Sequence, residues 1–374
     1  MPELPEVEVV RLGLAPAVTG ATVTGVTVFD ERSLRRHDGS SEDFASRLVG
    51  AALAEPRRRG KFLWVPLARL KTPLAGLKTS PAGPKTPPTG LKTPPAGLKT
   101  KEFLAVEAPN GVSSSSWAET PSFSDTGRAV SDASVAVSDT GPAESESGPA
   151  ESDTALVVHL GMSGQVLLRE PGAEVGRLTR IQLDIEHPVH GELRVDFVDQ
   201  RIFGSMALDD LVPTADAPGE TVPSQVAHIA RDPIDPAFDD DLFFARLAKR
   251  NTGIKRAMLD QTLISGIGNI YADEALWAAR IHYDQPTGAL SRPRAKTLLA
   301  EVRLVLGKAL AEGGTSFDAQ YLNVNGESGY FSHSLNAYGQ QGQPCPRCGR
   351  PIVREQFMNR GSHFCAHCQR VRAA

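Results

Sequence analysis

The chain has 374 residues and a formal net charge of −4 at pH 7. Its length predicts two or three domains. Residues 70–154 hold six Lys, one Arg and ten acidic residues, and the rest of the chain is almost neutral. Nucleic-acid binding through global charge is therefore excluded, so any such surface must come from local clustering. The sequence contains no run of about 18 apolar residues, so we predict no membrane span. The acidic N-terminus lacks the apolar segment of a signal peptide, so we expect a cytoplasmic location.

A low-complexity stretch interrupts the chain. From Leu70 a seven-residue unit repeats as LKTPLAG, LKTSPAG, PKTPPTG, LKTPPAG and LKTKEF. Its Pro and Gly residues break helices, so the period of seven does not indicate a coiled coil. Residues 113–153 are rich in Ser, Ala, Gly, Asp and Glu, a composition that buries too little apolar surface to fold. We therefore predict a disordered insertion at 67–154, basic first and acidic after. The sequence does not identify a partner for it.

The remaining pattern changes from strands to helices along the chain. Alternating apolar residues predict antiparallel strands at 21–29, 51–65, 155–168, 180–186 and 193–197. Helical periodicity is found at 5–18, 42–48, 254–263, 270–279 and 292–310. We therefore expect an α+β multidomain protein. Its predicted domains are a β-sandwich with one long helix at 1–227, a helical domain at 228–335 and a cysteine module at 336–374.

The first six residues suggest amine chemistry. Removal of Met1 would leave Pro2 with a free secondary amine, and an α-amine has a pKa of about 7.7–8.0. Much of this amine is neutral near pH 7 and able to attack an aldehyde-like carbon, which gives an imine. Glu3 and Glu6 lie nearby, and a carboxyl beside an amine is typical of proton transfer. The structural alternative is that Pro and Glu simply favour the start of a helix.

All four cysteines lie near the C-terminus. Two residues separate the members of each pair and sixteen separate the pairs, which comprise Cys345, Cys348, Cys365 and Cys368. This spacing in a chain without an export signal predicts a tetrahedral Cys₄ zinc site rather than disulfides. Four protein ligands leave no open position, so we expect one structural zinc. A module of this size folds only with its metal.

Two features are candidates for phosphate binding. The turn from Gly266 to Asn269 precedes a helix, whose N-terminal N–H groups attract anions. Lys255 on the preceding helix adds charge. Arg360 lies between the two cysteine pairs, where a rigid hairpin would present it to phosphate or to DNA. The alternatives are an ordinary glycine turn between helices and a solvated hairpin turn.

Two further features suggest contacts with nucleic acid. Lys61 forms a basic cluster with Arg57, Arg58 and Arg59. The alternative, a solvated hairpin turn, explains such a cluster equally well. Glycine-flanked segments carry a second set of candidates, which are exposed side chains able to wedge into a base stack: Met162, Arg201 and Phe203. The alternative for the two apolar members of this set is burial in the core.

Several motifs then occur in a fixed order. They are MPELPEVE, RRRGKFLW, HLGMSGQ, DQRIFG, LISGIGNIYADEALW, GGTSF and the final CxxC pairs. Together they closely resemble the formamidopyrimidine-DNA glycosylases of bacteria, over residues 1–66 and 155–372. The motif with Leu4 resembles that of this branch, because the endonuclease VIII branch usually has Gly at that position.

The resemblance implies the role of each matching residue. Pro2 would attack C1′ of a damaged nucleotide, Glu3 would act as acid and base at the sugar, Glu6 would support the site, and Lys61 would bind phosphate near the lesion. The gap left by an everted base would be filled by Met162, Arg201 and Phe203. Backbone phosphates would be gripped by Lys255, Asn269 and Arg360.

The resemblance also implies the fold and the reaction. We expect a β-sandwich, a helix–two-turn–helix domain and a β-hairpin zinc finger, with double-stranded DNA in the cleft between them. The expected activity is that of a bifunctional glycosylase and AP lyase of base excision repair. It would remove 8-oxoguanine opposite C and formamidopyrimidines, then cleave abasic sites by β,δ-elimination through a Schiff base, with no catalytic metal. We expect a monomer that associates with the bacterial nucleoid through DNA.

The chain departs from the family pattern at three positions. Gln200 and Ile202 replace the Pro and the second Arg of a common form of the DPRRFG motif. Asp318 stands where some relatives carry a basic residue in a lesion-covering loop, so recognition of the base by residues 316–330 stays open.

Two alternatives remain: an endonuclease VIII-like glycosylase for oxidised pyrimidines, and a non-catalytic DNA-binding zinc-finger protein. The second would not need Pro2, Glu3 and Lys61 together.

Overall fold

The computed structural model describes residues 2–69, 151–314, 324 and 331–372. Most of the predicted insertion and of the loop around Asp318 lies outside these residues. The predicted insertion range of 67–154 is wrong at both ends, because the flanking strands reach Arg69 and begin at Glu151. Backbone pairing extends these two strands beyond their predicted ends, since Ala68 lies opposite Glu151 in the antiparallel register. Hydrogen bonding between strands therefore continues beyond the point at which apolar alternation ends.

Ten strands form the N-terminal part of the described chain. They are β1 Thr22–Val28, β2 Ala51–Leu53, β3 Arg57–Arg59, β4 Phe62–Arg69, β5 Glu151–His159, β6 Gly164–Arg169, β7 Thr179–His187, β8 Gly191–Asp199, β9 Ser205–Pro213 and β10 Thr221–Pro223. All the pairings are antiparallel, in the order β10-β9-β5-β4-β2-β1-β7-β8-β6, and β3 pairs with β4. Side chains from β4, β5 and β9 meet those from β1, β7 and β8 in one core, as expected for a sandwich.

Six α-helices lie in the described residues. They are α1 Leu4–Val18, α2 Ser41–Leu48, α3 Asp240–Ala248, α4 Ile254–Met258, α5 Asn269–Ala278 and α6 Arg292–Ala311. The helix predicted at 254–263 is too long. Thr262 donates from its N–H and its hydroxyl to the Asp260 carboxylate, at 3.0 and 2.6 Å. Such a local side-chain bond favours a turn over continued helix. No helix in the described residues is long and apolar enough to cross a membrane.

Helix α1 belongs to two cores at once. Val7, Val10 and Leu14 pack in the core of the sandwich. Leu4, at the first turn, packs instead in the second core, which the helices α3 to α6 build. The N–H of Leu4 also donates to the carbonyl of Gly266 at 2.9 Å. The N-terminus of the chain is therefore fixed against both the sandwich and the helical region.

A small hairpin follows the helices. Its strands β11 Val353–Phe357 and β12 Arg360–Phe364 pair in antiparallel register, with Phe357 opposite Arg360. The tip residue Met358 has φ of 52°, a left-handed conformation that suits a tight turn. The core at the base of the hairpin contains Ile352 and two cysteines, with Trp277 of α5 packed against them. The hairpin is thus anchored on the helical region at its cysteine end.

The pairing of β4 with β5 predicts that residues 70–150 are dispensable for folding. We expect that a four-residue turn joining Arg69 to Glu151 would raise the free energy of unfolding by about 2.7 kcal/mol, because a roughly twentyfold shorter loop costs less closure entropy. Urea denaturation of the full-length and shortened chains measures this difference. A shortened chain that is less stable than the full-length chain would show that residues 70–150 contribute contacts to the folded protein.

Candidate active site

Pro2 lies at a small cavity between the chain start and the sandwich. Its side chain is buried, and the cavity of about 200 Å³ is also lined by Lys61, His159, Met162 and Phe203. The structure therefore brings the predicted nucleophile, the predicted phosphate ligand and two of the predicted wedge residues to one place. These residues come from the chain start, from the turn that leads into β4, from the end of β5 and the loop after it, and from the loop before β9.

The Glu3 carboxylate caps helix α5 from outside that helix. It accepts hydrogen bonds from the backbone N–H groups of Gly268, Ile270 and Tyr271, at 2.6, 3.0 and 3.4 Å. Glu3 is only 1% exposed, and this burial raises its pKa, against the lowering effect of the Lys61 charge and the bonds from α5. A carboxyl with a raised pKa is suited to hold a proton and to release it.

Glu6 supports this arrangement from the first turn of α1. One of its oxygens accepts the backbone N–H of Glu3 at 2.7 Å, and the other accepts the hydroxyl of Tyr271 at 2.6 Å. Both carboxylates are buried, so each bond replaces water that burial has removed. Glu6 therefore fixes the backbone at Glu3, which is where Pro2 joins the helix.

The ammonium group of Lys61 is held at the same site. Its Nζ donates to the carbonyl of Ile267 at 2.8 Å. Burial lowers the pKa of Lys61, as does the positive charge of Arg360, while the carboxylates of Glu3 and Glu6 raise it. An ammonium group has three N–H donors, so the bond to Ile267 leaves capacity for a phosphate group at the cavity.

The wedge candidates are exposed. Phe203 is 50% exposed and Met162 is 38% exposed, so the alternative that both lie in the core is wrong. The Asp199 carboxylate fixes the two loops that carry them, since it accepts bonds from the Ser163 hydroxyl at 2.5 Å and from the N–H groups of Arg201 and Gly204 at 3.1 and 2.7 Å.

Ile202 adopts an unusual backbone conformation within the second loop. Its φ is 55°, and a β-branched residue in the left-handed region is a genuine outlier that costs about 1–3 kcal/mol. This is one of the positions at which the chain departs from the DPRRFG pattern. The surrounding bonds hold the loop in this shape, in which the side chains of Arg201 and Phe203 are exposed to solvent.

Asn269 and Arg360 meet at a second cavity beside the first. This cavity has a volume of about 380 Å³ and is also lined by Lys61, His159 and Met358. The Asn269 side chain donates to the carbonyl of Gly361 at 3.0 Å, which ties the start of α5 to the hairpin. Arg360 at the hairpin tip is exposed. The predicted phosphate ligands Lys61, Asn269 and Arg360 therefore face one cleft.

Lys255 does not fit its predicted role of phosphate grip. It is wholly buried, and its Nζ lies 2.6 Å from the Asp273 carboxylate and donates to the Ser362 hydroxyl at 3.0 Å. The same carboxylate accepts the N–H of His363 at 2.8 Å. An ammonium enclosed in this way cannot reach DNA, because exposing it would leave the buried Asp273 unpaired. Lys255 instead joins α4, α5 and the hairpin.

His159 is a site residue that the sequence analysis did not single out. Its ring lines both cavities, and burial together with Arg36, Arg35 and Lys61 lowers its pKa to about 4. Its Nδ1 accepts the N–H of Gly161 at 3.2 Å, so the proton of the neutral ring is assigned to Nε2. The ring is thus a neutral donor, and its place within the HLGMSG motif was the available signal.

The four cysteines fit a zinc ion. One sulfur atom from each of Cys345, Cys348, Cys365 and Cys368 lies within 4.8 Å of the others. Tetrahedral zinc with bonds of about 2.3 Å places its sulfur ligands about 3.8 Å apart. The indole N–H of Trp277 donates to the Cys345 sulfur at 3.4 Å, a bond that also suits a thiolate ligand. All four protein ligands of a closed, structural site are therefore in place.

We expect one zinc per chain, and we expect Cys368→Ser to weaken DNA binding more than it destabilises the sandwich. The physical reason is that the metal site belongs to the hairpin, which has its own small core. Metal analysis by mass spectrometry, duplex titration and urea denaturation measure the three quantities. Val353→Ala, in the same hairpin but not at the metal, is the control. Freshly purified protein without zinc would contradict this prediction.

Three family models match the chain. Residues 1–80 and 143–206 match the formamidopyrimidine-DNA glycosylase N-terminal domain, and residues 229–320 match the formamidopyrimidine-DNA glycosylase H2TH domain. Residues 342–371 match the zinc finger found in FPG and IleRS. The order of these matches is the order of sandwich, helices and hairpin in the structure.

Individual relatives agree with these matches. The chain is 54% identical to a formamidopyrimidine-DNA glycosylase of Leifsonia xyli subsp. xyli, over 99% of this chain and 100% of the relative. The crystal structure of MutM (Fpg) from Thermus thermophilus is 27% identical, with a TM-score of 0.63 and 98% of each chain covered. The Lactococcus lactis Fpg complexed with DNA containing an abasic site has a TM-score of 0.65 at 23% identity, over 98% of this chain and 99% of that one. This last likeness concerns the fold alone. The α+β fold class and the enzyme class predicted from the sequence are confirmed, and the chain belongs to the formamidopyrimidine-DNA glycosylase family.

Proposed function

We propose that this protein is a bifunctional DNA glycosylase and AP lyase of base excision repair that removes oxidised purines. One observation carries the proposal: Pro2 lies beside Glu3 and Lys61 at a cavity that opens between exposed wedge residues. An N-terminal amine, a buried carboxyl and a phosphate ligand are the groups that this reaction needs. A non-catalytic DNA-binding protein would need none of them in this arrangement.

The first step joins the enzyme to the sugar. After the damaged base is everted, the Pro2 nitrogen attacks C1′ and the base leaves with the bonding pair. Glu3 supplies the proton that opens the sugar ring, because burial raises its pKa and favours the protonated form. The Pro2 nitrogen loses its own proton to the departing base, and because it is a secondary amine the product is a positively charged iminium between Pro2 and C1′.

The second stage cleaves the strand. The positive iminium acidifies the proton at C2′; when a base removes this proton, a C2′–C3′ double bond forms and the 3′ phosphate leaves with the C3′–O bonding pair. A second elimination releases the 5′ phosphate, which leaves a gap of one nucleotide. Each departing phosphate is an anion, and the cavity beside Pro2 offers donors for it from Lys61, His159, Asn269 and Arg360. Two of these donors are charged, Lys61 and Arg360, and two are neutral, His159 and Asn269; the proposed reaction uses them by position and needs no catalytic metal.

The remaining contacts hold the duplex open. Met162 and Phe203 fill the gap left by the everted base, and Arg201 reads the orphaned base opposite. The partner is double-stranded DNA with oxidised bases or abasic sites, which the protein binds as a monomer on the nucleoid in the bacterial cytoplasm. The domain division at 1–227, 228–335 and 336–374 belongs to the same proposal, and the three family matches support it.

An extension left on the N-terminus should abolish activity. It converts the amine of Pro2 into an amide, whose nitrogen is not nucleophilic, while the fold is unchanged. We expect no borohydride-trapped adduct on DNA containing 8-oxoguanine until a protease exposes Pro2. The same extension at the C-terminus is the control. Normal trapping by the N-terminally extended protein would show that another group is the nucleophile.

Oxidised purines should be excised faster than oxidised pyrimidines. Single-turnover excision is measured on four duplexes: 8-oxoguanine opposite C, 8-oxoguanine opposite A, formamidopyrimidine opposite C and thymine glycol opposite A. An arginine that donates to the acceptors of cytosine and rejects the adenine amino group gives a preference of about tenfold to a hundredfold for C. Faster excision of thymine glycol than of 8-oxoguanine opposite C would support the endonuclease VIII alternative. Equal rates opposite C and A would remove the proposed role of Arg201.

A further inference from the structure

The loop that carries Arg201 and Phe203 is held by a residue from a distant part of the chain. Nη1 of Arg35 donates to the carbonyl of Ile202 at 2.6 Å, and its Nη2 donates to the carbonyl of Phe203. A guanidinium presents its N–H groups in one rigid plane. Two bonds from this plane to consecutive carbonyls therefore fix both the position and the orientation of the loop backbone.

The backbone that carries Arg35 is packed against the sandwich. It follows the 3₁₀ helix Glu31–Leu34, whose last residue is only 5% exposed. Two residues further on, His37 is also buried, and its Nδ1 accepts the N–H of Leu208 on β9 at 3.3 Å. The backbone on both sides of Arg35 is thus fixed, although the side chain itself lies on the surface.

The loop requires such support in its middle. The Asp199 carboxylate holds its two ends, at the N–H groups of Arg201 and Gly204. Between these ends Ile202 has the left-handed φ of 55° that a β-branched residue avoids. The other loop approaches closely: a Cβ on Gly161 would lie 2.3 Å from the carbonyl carbon of Phe203. The two carbonyls that accept bonds from Arg35 belong to Ile202, the residue with the left-handed φ, and to Phe203, which follows it.

We infer that Arg35 is a positioning residue that presets the Arg201–Phe203 segment for DNA before DNA is bound. The inference rests on the proposed function, in which Phe203 fills the gap in the duplex and Arg201 reads the opposite base. Arg35 acts through the backbone of the loop and needs no contact with either base. A preset loop saves the entropy of ordering it during base eversion, so eversion and opposite-base selectivity depend on Arg35.

Three variants separate geometry from charge. Arg35→Ala removes both bonds and the charge. Arg35→Lys keeps the charge but replaces the planar pair of donors by a single ammonium group. Arg32→Ala is the matched control, since Arg32 lies in the 3₁₀ helix that precedes Arg35, is 74% exposed in its side chain and pairs with the nearby Asp30 at 2.7 Å.

The first readout uses the protein without DNA. Hydrogen exchange of the peptide covering residues 199–206 reports the order of the loop. We expect exchange about tenfold faster in Arg35→Ala and an intermediate rate in Arg35→Lys, because removal of the central bonds lowers the free energy of local opening. Arg32→Ala should exchange as the unmodified protein does. Equal exchange in Arg35→Ala and Arg32→Ala overturns the inference, whatever their activities.

The second readout is single-turnover excision of 8-oxoguanine opposite C and opposite A. We expect Arg35→Ala to lower the ratio of the two rates about tenfold, because a misplaced Arg201 loses its bonds to cytosine. Trapping on a duplex that already contains an abasic site should stay within about twofold, since no base must then be everted. A ratio unchanged in Arg35→Ala, or fully restored in Arg35→Lys, overturns the selectivity role.

These results distinguish failure of the inference from failure of the proposed function. An unmodified protein that excises 8-oxoguanine equally well opposite C and A contradicts the proposed role of Arg201. The exchange measurement still decides whether Arg35 orders the loop, because it involves neither DNA nor catalysis. Faster exchange in Arg35→Ala than in Arg32→Ala then supports the positioning role by itself.

Discussion

The position of the N-terminus of this protein depends on one buried carboxylate. Glu3 lies at the start of α1, and its oxygens accept N–H groups at the start of α5. A carboxyl group removed from water is stable only where hydrogen-bond donors replace the lost hydration. The unpaired N–H groups at a helix N-terminus supply such donors together with a favourable dipole. The bond therefore requires the sandwich and the helical region to be in contact, and this contact places Pro2 in its cavity.

Small residues permit the close approach that this bond needs. A Cβ on Gly268 would lie 2.3 Å from the carboxyl carbon of Glu3. A Cβ on Gly266, whose φ is 85°, would lie 2.6 Å from a methyl group of Leu4. Leu4 in turn packs in the core of the helical region. The glycines of this turn therefore serve the contact with α1. The N–H groups of Gly268 and Ile270 donate to Glu3, so the expectation that this turn offers its backbone to phosphate is wrong for them.

Helix α5 extends the same support to the zinc hairpin. Asn269 at its start bonds to the backbone of Gly361, and Asp273 one turn later bonds to Ser362 and His363. Lys255 neutralises Asp273 within this buried cluster. A single helix thus contacts both Glu3 and the hairpin that carries Arg360. Lys255 thus contacts both the helix and the hairpin without lining the site.

The sequence by itself determined the chemistry and the local structure of this protein. Pro2 beside two glutamates, the spacing of four cysteines and the ordered motifs identified the family, because each depends on residue type and on short separations. Tertiary structure alone decided which charged side chains are exposed. Lys255 and Arg360 are both basic residues near glycine turns, yet one is enclosed with Asp273 and the other is exposed. Likewise, only the fold shows that Arg35 reaches the carbonyls of a loop 167 residues away. Burial and long-range contacts are properties of packing between segments, and local sequence patterns do not encode which segments will meet.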